Sequence, residues 1–380
     1  MAFKDITKVL YDGQIKLDYK DKAHRYYARP RINWDLPEDD PKAWGKVTYP
    51  KGTTTLIGDT LEKKGLMTWP LSLAIRELFG FYDFKTEEGD RLIGFSKEKT
   101  LDEESGESKE TGRFVGTMWN AADPKQIGPF TSEDAKEIVR SANAAWQRRQ
   151  KKGADIGSVV HDAIEHFIKE EDFDIAESYA WNIKESDYEN EADRTLAMEE
   201  FDGDVAMAMK AFLRFQKWWL TLDPELHSAE DILYSLEDNV CGTYDGDFSM
   251  KRDRHPMPEL FKTENIRITA DWKTSKASLS KEAASPEGVY YSYFVQLGIY
   301  ELMRREMGFP PADDLLTVSA RKDGEFSLVY ASELGLTVDD CINWARAVIL
   351  CYRFADTSKR ALIAHGEAAK STIDASKEAF

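Results

Sequence analysis

The sequence predicts a mixed α/β fold with a central β-sheet flanked by helices. From Gly157 onward, apolar residues recur at helical and then at alternating spacing, in the order helix, helix, three strands, helix, two strands, helix. Turn residues such as Asp238 and Asn239 separate those runs. With 42% of its residues apolar, the chain can bury a sizeable core. At about 150 residues per domain, its 380 residues point to two or three domains, or to one core with large additions.

Residues 1 to about 60 alternate apolar and polar side chains (Ile15, Leu17, Tyr19, then Tyr26) with turns at Asp12-Gly13 and Pro37, and read as a hairpin and loops. From Thr54 to Phe81, Leu56, Leu61, Leu66, Trp69, Leu73 and Leu78 predict helical segments interrupted at Gly65 and Pro70. The stretch 85–112 is dense in charge, Gly and Ser and reads as a solvated insertion. Thr131 to Asp134 resembles a capping box, opening a helix that Gly153 or Gly157 would end. Then Val160, Ala163, Ile164, Phe167 and Ile168 form one helical stripe, and a second amphipathic helix spans about Glu191 to Leu220. Strands are predicted within 230–250 and over 266–275, 315–320 and 326–330, and helices over 289–307 and 337–354. The expected organisation is an N-terminal hairpin and helical region over 1–150, a core over 151–335, and a C-terminal helix and tail over 336–380.

The 51 basic and 69 acidic side chains give a net charge of −18, which argues against coating nucleic acid through bulk charge, because phosphate neutralisation needs clustered Lys and Arg. Local basic patches can still hold a phosphate backbone, and clustered carboxylates favour divalent cations. Cys241, Cys341 and Cys351 are odd in number, widely spaced and outside any CxxC pair, against a disulfide framework or a structural zinc site. No apolar run approaches the ~18 residues of a membrane span, and the start, MAFKDITKVL, has neither a charged n-region nor an apolar h-region. A soluble cytoplasmic protein with no membrane partner is expected.

The chemistry concentrates in two strands. In Ile268 to Lys273, alternation places Thr269, Asp271 and Lys273 on one face and Ile268, Ala270 and Trp272 on the other. In Cys241 to Phe248 the same alternation groups Asp245 with Asp247, opposite Tyr244 and Phe248. If the strands pair, three carboxylates and a lysine converge. Crowded carboxylates repel, and a divalent cation is their usual stabiliser. Upstream, His161 follows Gly157 on a helix beside its apolar stripe, with Glu165 one turn on, and Gln296 and Tyr300 form a polar i, i+4 pair.

Four motifs thus stand in order: Gly157 with His161, Gly242 with Asp245, Asp271 with Lys273 and Thr274, and Gln296 with Tyr300. In this the sequence resembles the PD-(D/E)XK nuclease superfamily, within it the RecB-like and phage-type exonuclease branch, over about residues 153–320. The segments Asp21 to Tyr26 and Thr53 to Trp69 also resemble the amino-terminal region of phage members. The resemblance implies a restriction-endonuclease-like core and a metal-dependent DNA exonuclease for recombination, processing or degradation, in a host cytoplasm if phage-encoded. It implies Asp245, Asp271 and His161 as metal ligands, completed by the Trp272 backbone carbonyl. Lys273 would orient the attacking water, while Gln296 and Tyr300 would hold the DNA backbone or the lysine, with Thr274 in support. Glu165, Glu230 and Asp247 form a second tier able to hold a second metal; Glu230 is a better candidate than Glu237 for the upstream acid of phage exonucleases. The expected ion is Mg²⁺, with Mn²⁺ accepted because a histidine joins the oxygen ligands. Three scattered cysteines cannot supply the four of an iron–sulfur cluster, so none is expected.

Arg148, Arg149, Lys151 and Lys152 would form a basic rim for DNA, with Arg252, Arg254, Arg304 and Arg305 adding to it if the fold brings them near. Trp218, Trp219, Tyr290, Tyr291 and Tyr293 are more consistent with core than with base stacking. His166, His227, His255 and His365 read as structural or exposed. Such nucleases often work beside a single-strand annealing protein; neither that partner nor an oligomeric state is legible in these residues. The alternatives are a structure-specific or single-strand endonuclease with the same site, and a catalytically silent nuclease-like fold that binds DNA.

Overall fold

The computed structural model describes residues 5–20, 25–60, 92–101, 108–119, 125–130, 151–185, 191–274, 291–355 and 357–358. The chain forms two compact units. One comprises Met1–Glu62, Ile156–Asp187 and Met198–Phe380; the other comprises Lys63–Asp155 and Tyr188–Ala197. The first unit thus joins the N-terminal residues to the segments that carry the four motifs.

Its N-terminal strands β1 (Ile6–Leu10), β2 (Ile15–Lys20) and β3 (Arg25–Pro30) form a three-stranded antiparallel meander, one strand more than the expected hairpin. Period-two alternation turns Ile15, Leu17 and Ala28 inward onto Ile232, Tyr234 and Cys241. The short strand β4 (Lys51–Gly52) leads directly into helix α1 (Thr53–Thr60); the remainder of the helical stretch predicted to Phe81 lies outside the described residues.

In the second unit, β5 (Leu92–Leu101), β6 (Ser108–Trp119) and β7 (Lys125–Phe130) form an antiparallel sheet in that order. Of the charged run read as a solvated insertion, the described residues 92–101 and 108–112 are strand. The helix predicted from Thr131 lies outside the described residues up to 150. Helix α2 covers 151–168, with Gly153 and Gly157 inside it, so neither glycine ends a helix as expected.

Helices α3 (Ile175–Glu185), α4 (Glu191–Glu199) and α5 (Phe201–Leu222) follow. The single helix expected over Glu191 to Leu220 is two, because Glu200 leaves helical geometry (φ −88°, ψ 0°) and caps α5. Buried Asp204 in the first turn of α5 accepts from Tyr179 Oη at 2.6 Å and ties α5 to α3. Asp223 ends α5 in the left-handed region, φ 49°.

The central sheet is mixed, as predicted. Strands β8 (Glu225–Ser235), β9 (Val240–Lys251), β10 (Asn265–Lys273), β11 (Asp314–Ala320) and β12 (Phe326–Tyr330) join β4 in the order β12-β11-β10-β9-β4, with β8 also on β9. β10 and β11 run parallel, connected through helix α6 (Tyr291–Glu306), while β9 runs antiparallel to both β8 and β10. Helix α7 covers 338–355; Thr337 caps it, its Oγ1 accepting from the Asp340 amide at 3.1 Å while Asp340 Oδ2 accepts from the Thr337 amide at 2.9 Å.

The two sides of the sheet differ. Trp272 and Phe248 meet the aromatic rings of α5, Phe215–Trp272 at 4.9 Å and Trp219–Phe248 at 5.1 Å, so Trp218 and Trp219 belong to packing. On the other side α6 and α7 enclose a large core with Leu315 and Val329. Tyr244, expected beside Phe248, instead joins that second core and lies under the Arg304 guanidinium, 5.4 Å from the ring centre. Among the described residues no helix is long and apolar enough to cross a membrane.

Candidate metal centre

β9 and β10 pair as far as Ala270 opposite Gly246 and then part. β10 continues beside β11 alone, to Lys273 opposite Ser319, while β4 meets β9 at Val240 and Cys241. The strands thus fork where register would next set Asp271 against Asp245. At the fork the Trp272 N–H, no longer bonded to β9 backbone, donates to the Asp245 carboxylate. The motif residues converge because the ladder opens there.

Two of the glycines allow close approaches that bring helices to the fork. A Cβ on Gly157 would lie 2.8 Å from Thr274 Oγ1, so α2 can lie against the end of β10 only without one. A Cβ on Gly242 would lie 2.6 Å from Thr53 Oγ1 and 2.8 Å from Tyr300 Cε1. In this way α2 brings His161 over the fork and α6 brings Tyr300 beneath it.

His161 Nδ1 lies 3.8 Å from Asp245 Oδ2. Ligand atoms of His161, Glu230 and Asp245 all fall within 4.8 Å of one another. Register sets Glu230 opposite Asp245, between the pairs Ala229–Gly246 and Asp231–Tyr244. Glu230 adopts φ 54°, a left-handed conformation rare for a non-glycine residue within a strand and common at functional sites.

Beside this group, Asp271 Oδ1 accepts from Gln296 Nε2 at 3.1 Å, and Asp271 Oδ2 lies 2.5 Å from Lys273 Nζ without the alignment of a hydrogen bond. Lys273 Nζ donates to Gln296 Oε1 at 3.1 Å and sits 5.2 Å from the Tyr293 ring centre. Tyr300 Oη lies 2.7 Å from Gln296 Nε2. The Gln296 amide therefore holds acid and ammonium at once, its oxygen on the lysine and its nitrogen on Asp271.

Burial pushes Asp245 up to about 6, opposed by Lys273 and the Trp272 N–H. It pushes Asp271 up to about 6 as well, against the pull of Lys273 and with the help of Asp245. Glu230 rises well above the carboxylate range through burial, then through Asp245, Glu165 and Asp162. Burial, then the Lys273 charge, draw His161 down to about 4, leaving a neutral imidazole at neutral pH. For Lys273, burial works against the charged form, but Asp271 and Asp245 outweigh it and raise its pKa. Neutral imidazole nitrogen with two or three carboxylate oxygens is a donor set suited to Mg²⁺ or Mn²⁺, whose charge would relieve the crowding. The donor set therefore fits such an ion.

The other predicted residues have mixed placements. Glu165 pairs with Lys169 at 2.6 Å and, with Asp162, Glu230 and Tyr300, lines a cleft of about 290 Å³. Asp247 does not join the group: Arg267 Nη2 at 2.5 Å and Arg304 Nη2 at 2.9 Å occupy its carboxylate. Arg304 is fully buried, and Arg305 pairs with Glu301 and Asp339, so neither extends a basic rim. Arg254 donates to the Thr221 carbonyl and Arg252 to the Phe261 carbonyl. Arg148, Arg149 and Tyr290 lie outside the described residues; Lys151 and Lys152 are half-buried on α2, and Tyr291 is exposed.

Sequence reasoning missed Asp162 and Gly52, both lining the cleft, and placed Thr53 in a segment resembling phage members without giving it a role in the site. Lone glycines inside a helical and a strand pattern, Gly157 and Gly242, were the available signal that backbone or side chains approach closely there. No protein-family model matches the chain, and a search of curated proteins gives no match.

Proposed function

We propose that this protein is a divalent-cation-dependent deoxyribonuclease of the PD-(D/E)XK kind, acting as an exonuclease. The observation that carries the reading is the fork itself, where half-buried His161 and Glu230 gather with buried Asp245, and buried Asp271 meets Lys273 beside them. A forked mixed sheet with helices on both faces supports a restriction-endonuclease-like core. His161, Glu230, Asp245 and Asp271, with the Trp272 carbonyl, would hold the ion. When bound, the cation would polarise a phosphodiester oxygen and offset the charge that develops on it during hydrolysis.

The chain's own residues would do the rest. Lys273 Nζ, held by Gln296 and Asp271, is positioned to orient a water for attack and to stabilise charge on a phosphoryl oxygen. Tyr300, whose pKa burial lifts well above the usual value, stays protonated and keeps Gln296 in place. The adjoining cleft, lined by Tyr26, Thr53, Thr54, Glu165 and Glu230 among others, would receive the strand.

The test is a gel assay with end-labelled linear duplex, linear single-stranded and closed circular DNA in Mg²⁺, Mn²⁺ or EDTA. Linear DNA is expected to be lost with either ion and spared in EDTA. Lys273→Ala is expected to lower the rate about 10²- to 10³-fold, the usual cost of removing one charge-stabilising donor. Cutting of circles would replace the exonuclease reading with an endonuclease; equal inertness of wild type and variant would overturn hydrolysis.

A further inference from the structure

The meander has a second face. Its inner residues pack on β8 and β9, Tyr26 Oη lying 2.9 Å from Thr243 Oγ1, and with Ile6 and Tyr19 they wall the cleft. The outer face carries the other parity. There Lys16 stands opposite Arg29 and Lys20 opposite Arg25, with Tyr27 between the two rows. Like charges directly opposite across a sheet destabilise it, so two such rows are an unfavourable arrangement for folding alone.

These charges are only partly compensated. Lys20 pairs with Asp5 at 2.7 Å, Asp18 accepts from Thr7 Oγ1 at 2.7 Å, and Lys16 lies 5.9 Å from the Trp44 ring centre. Among the described residues, Arg25 and Arg29 have no ion pair, and Arg29 Nε is buried without a hydrogen-bond partner. Beside them Tyr27 meets Tyr49 edge-on at 5.6 Å, and Tyr49 leaves 70% of its surface exposed. Residues 15–31 carry six basic and two acidic side chains in a chain whose net charge is −18.

We propose that this outer face, Lys16, Lys20, Arg25 and Arg29 around Tyr27 and Tyr49, is a docking surface for a single strand of nucleic acid. The cations would contact phosphates, and the Tyr49 ring, exposed in the loop before β4, would stack on a base. An acidic peptide would use the charges but would leave the exposed ring unused. Because the other side of the same three strands walls the cleft, a strand held here lies one sheet's thickness from the fork. That the polyanion is nucleic acid rests on the nuclease reading above.

The experiment is fluorescence anisotropy of a labelled oligothymidylate with the full chain in EDTA, at several salt concentrations, so that binding is read without hydrolysis. Arg25→Gln/Arg29→Gln is expected to weaken binding at least tenfold and to reduce the log–log salt slope by about 1.4, at about 0.7 per phosphate contact on a single strand. Tyr49→Ala is expected to weaken it about fivefold or more without changing that slope. Lys210→Gln/Lys217→Gln on α5 makes the same change in net charge and is expected to leave affinity and slope unaltered. Equal loss in both double variants, or an unchanged slope in the arginine variant with native circular dichroism, overturns the surface. Wild-type affinity for polyglutamate matching that for the oligonucleotide overturns the choice of nucleic acid. If wild type binds through these arginines yet never hydrolyses DNA with Mn²⁺, the nuclease reading fails and the docking surface stands.

Discussion

Two groups of acids centre on Asp245 and Asp247, two residues apart on β9, and they are compensated in opposite ways. Asp247 and Glu301, both fully buried, face Arg304 and flanking Arg267 and Arg305: Arg304 Nη2 reaches Asp247 at 2.9 Å, and Arg305 Nε reaches Glu301 at 3.0 Å. Asp245 and Asp271 share one lysine, Lys273, with a neutral imidazole beside it, and the cation near Glu230 is Lys169, already paired with Glu165. The helix α6 supplies both environments from one stripe, with Gln296 and Tyr300 at the fork and Arg304 one turn further on. Permanent cations built into the fold make the first group structural. Their shortage makes the second a place for a mobile cation, because carboxylates crowded without countercharge favour a proton or a metal.

The comparison is broken most severely by removing the arginine. Arg304→Met leaves Asp247 and Glu301 buried without their shared partner, which typically costs about 3–5 kcal/mol. The low end is expected, because Arg267 remains on Asp247. Lys273→Met is expected to cost less, since Asp245 and Asp271, already at about 6, can take up protons instead. Denaturant unfolding of both variants in EDTA checks the order; equal losses would mean that the two groups are not differently compensated.

The next effect is smaller and specific to the fork. Mn²⁺ at a hundredfold over its dissociation constant should stabilise the wild type by about 2.7 kcal/mol. Asp245→Asn, which keeps an oxygen to accept from the Trp272 N–H, should remove most of that increment. Asp247→Asn should lower basal stability yet keep it. Thermal unfolding with and without Mn²⁺ distinguishes the two aspartates; retention of the increment in Asp245→Asn would move the ion away from the fork.

How far each group was legible follows from the range of the interactions that make it. Thr269, Asp271 and Lys273 share a face because strand alternation is local, and the sequence alone displays it. The separation of Asp247 from Asp245 depends on Arg304, fifty-seven residues further on, which reaches the sheet only through the course of α6. Glu230 stood out as an acid upstream, but its place opposite Asp245 depends on the register of β8 on β9, which alternation does not set. The described part of the charged run, 92–101 and 108–112, pairs within β5 and β6, because an antiparallel ladder is made by backbone groups and needs no apolar run to announce it. Glycine is a poor helix former, so Gly153 or Gly157 reads as a helix end in the sequence; the close approach of Gly157 to Thr274 is set by a tertiary contact.

The mildest test is pH, and its sign separates the two kinds of group at the fork. Asp245 and Asp271 are raised to about 6, so between pH 4 and 6 the folded chain holds protons that the unfolded chain has released. Their contribution to stability is complete below about pH 4 and is lost as pH rises through 6. His161 works in reverse: with a folded value of about 4, its contribution is present above about 6.5 and is lost as pH falls through 4. Glu230, also raised, acts in the same sense as the aspartates, so three groups against one leave the metal-free protein losing stability as pH rises across that window. A bound ion needs the carboxylates ionised, so Mn²⁺ affinity should climb up to about tenfold per pH unit for each proton displaced. Glu230, also raised, should add to the proton release, whereas His161, already neutral, should add none. Calorimetric titration of Mn²⁺ at pH 5, 6 and 7, in buffers of different ionisation enthalpy, counts those protons. Release of at least one at pH 6, abolished in Asp245→Asn, is the expected result; an affinity flat with pH would mean that the ion is held elsewhere than by these acids.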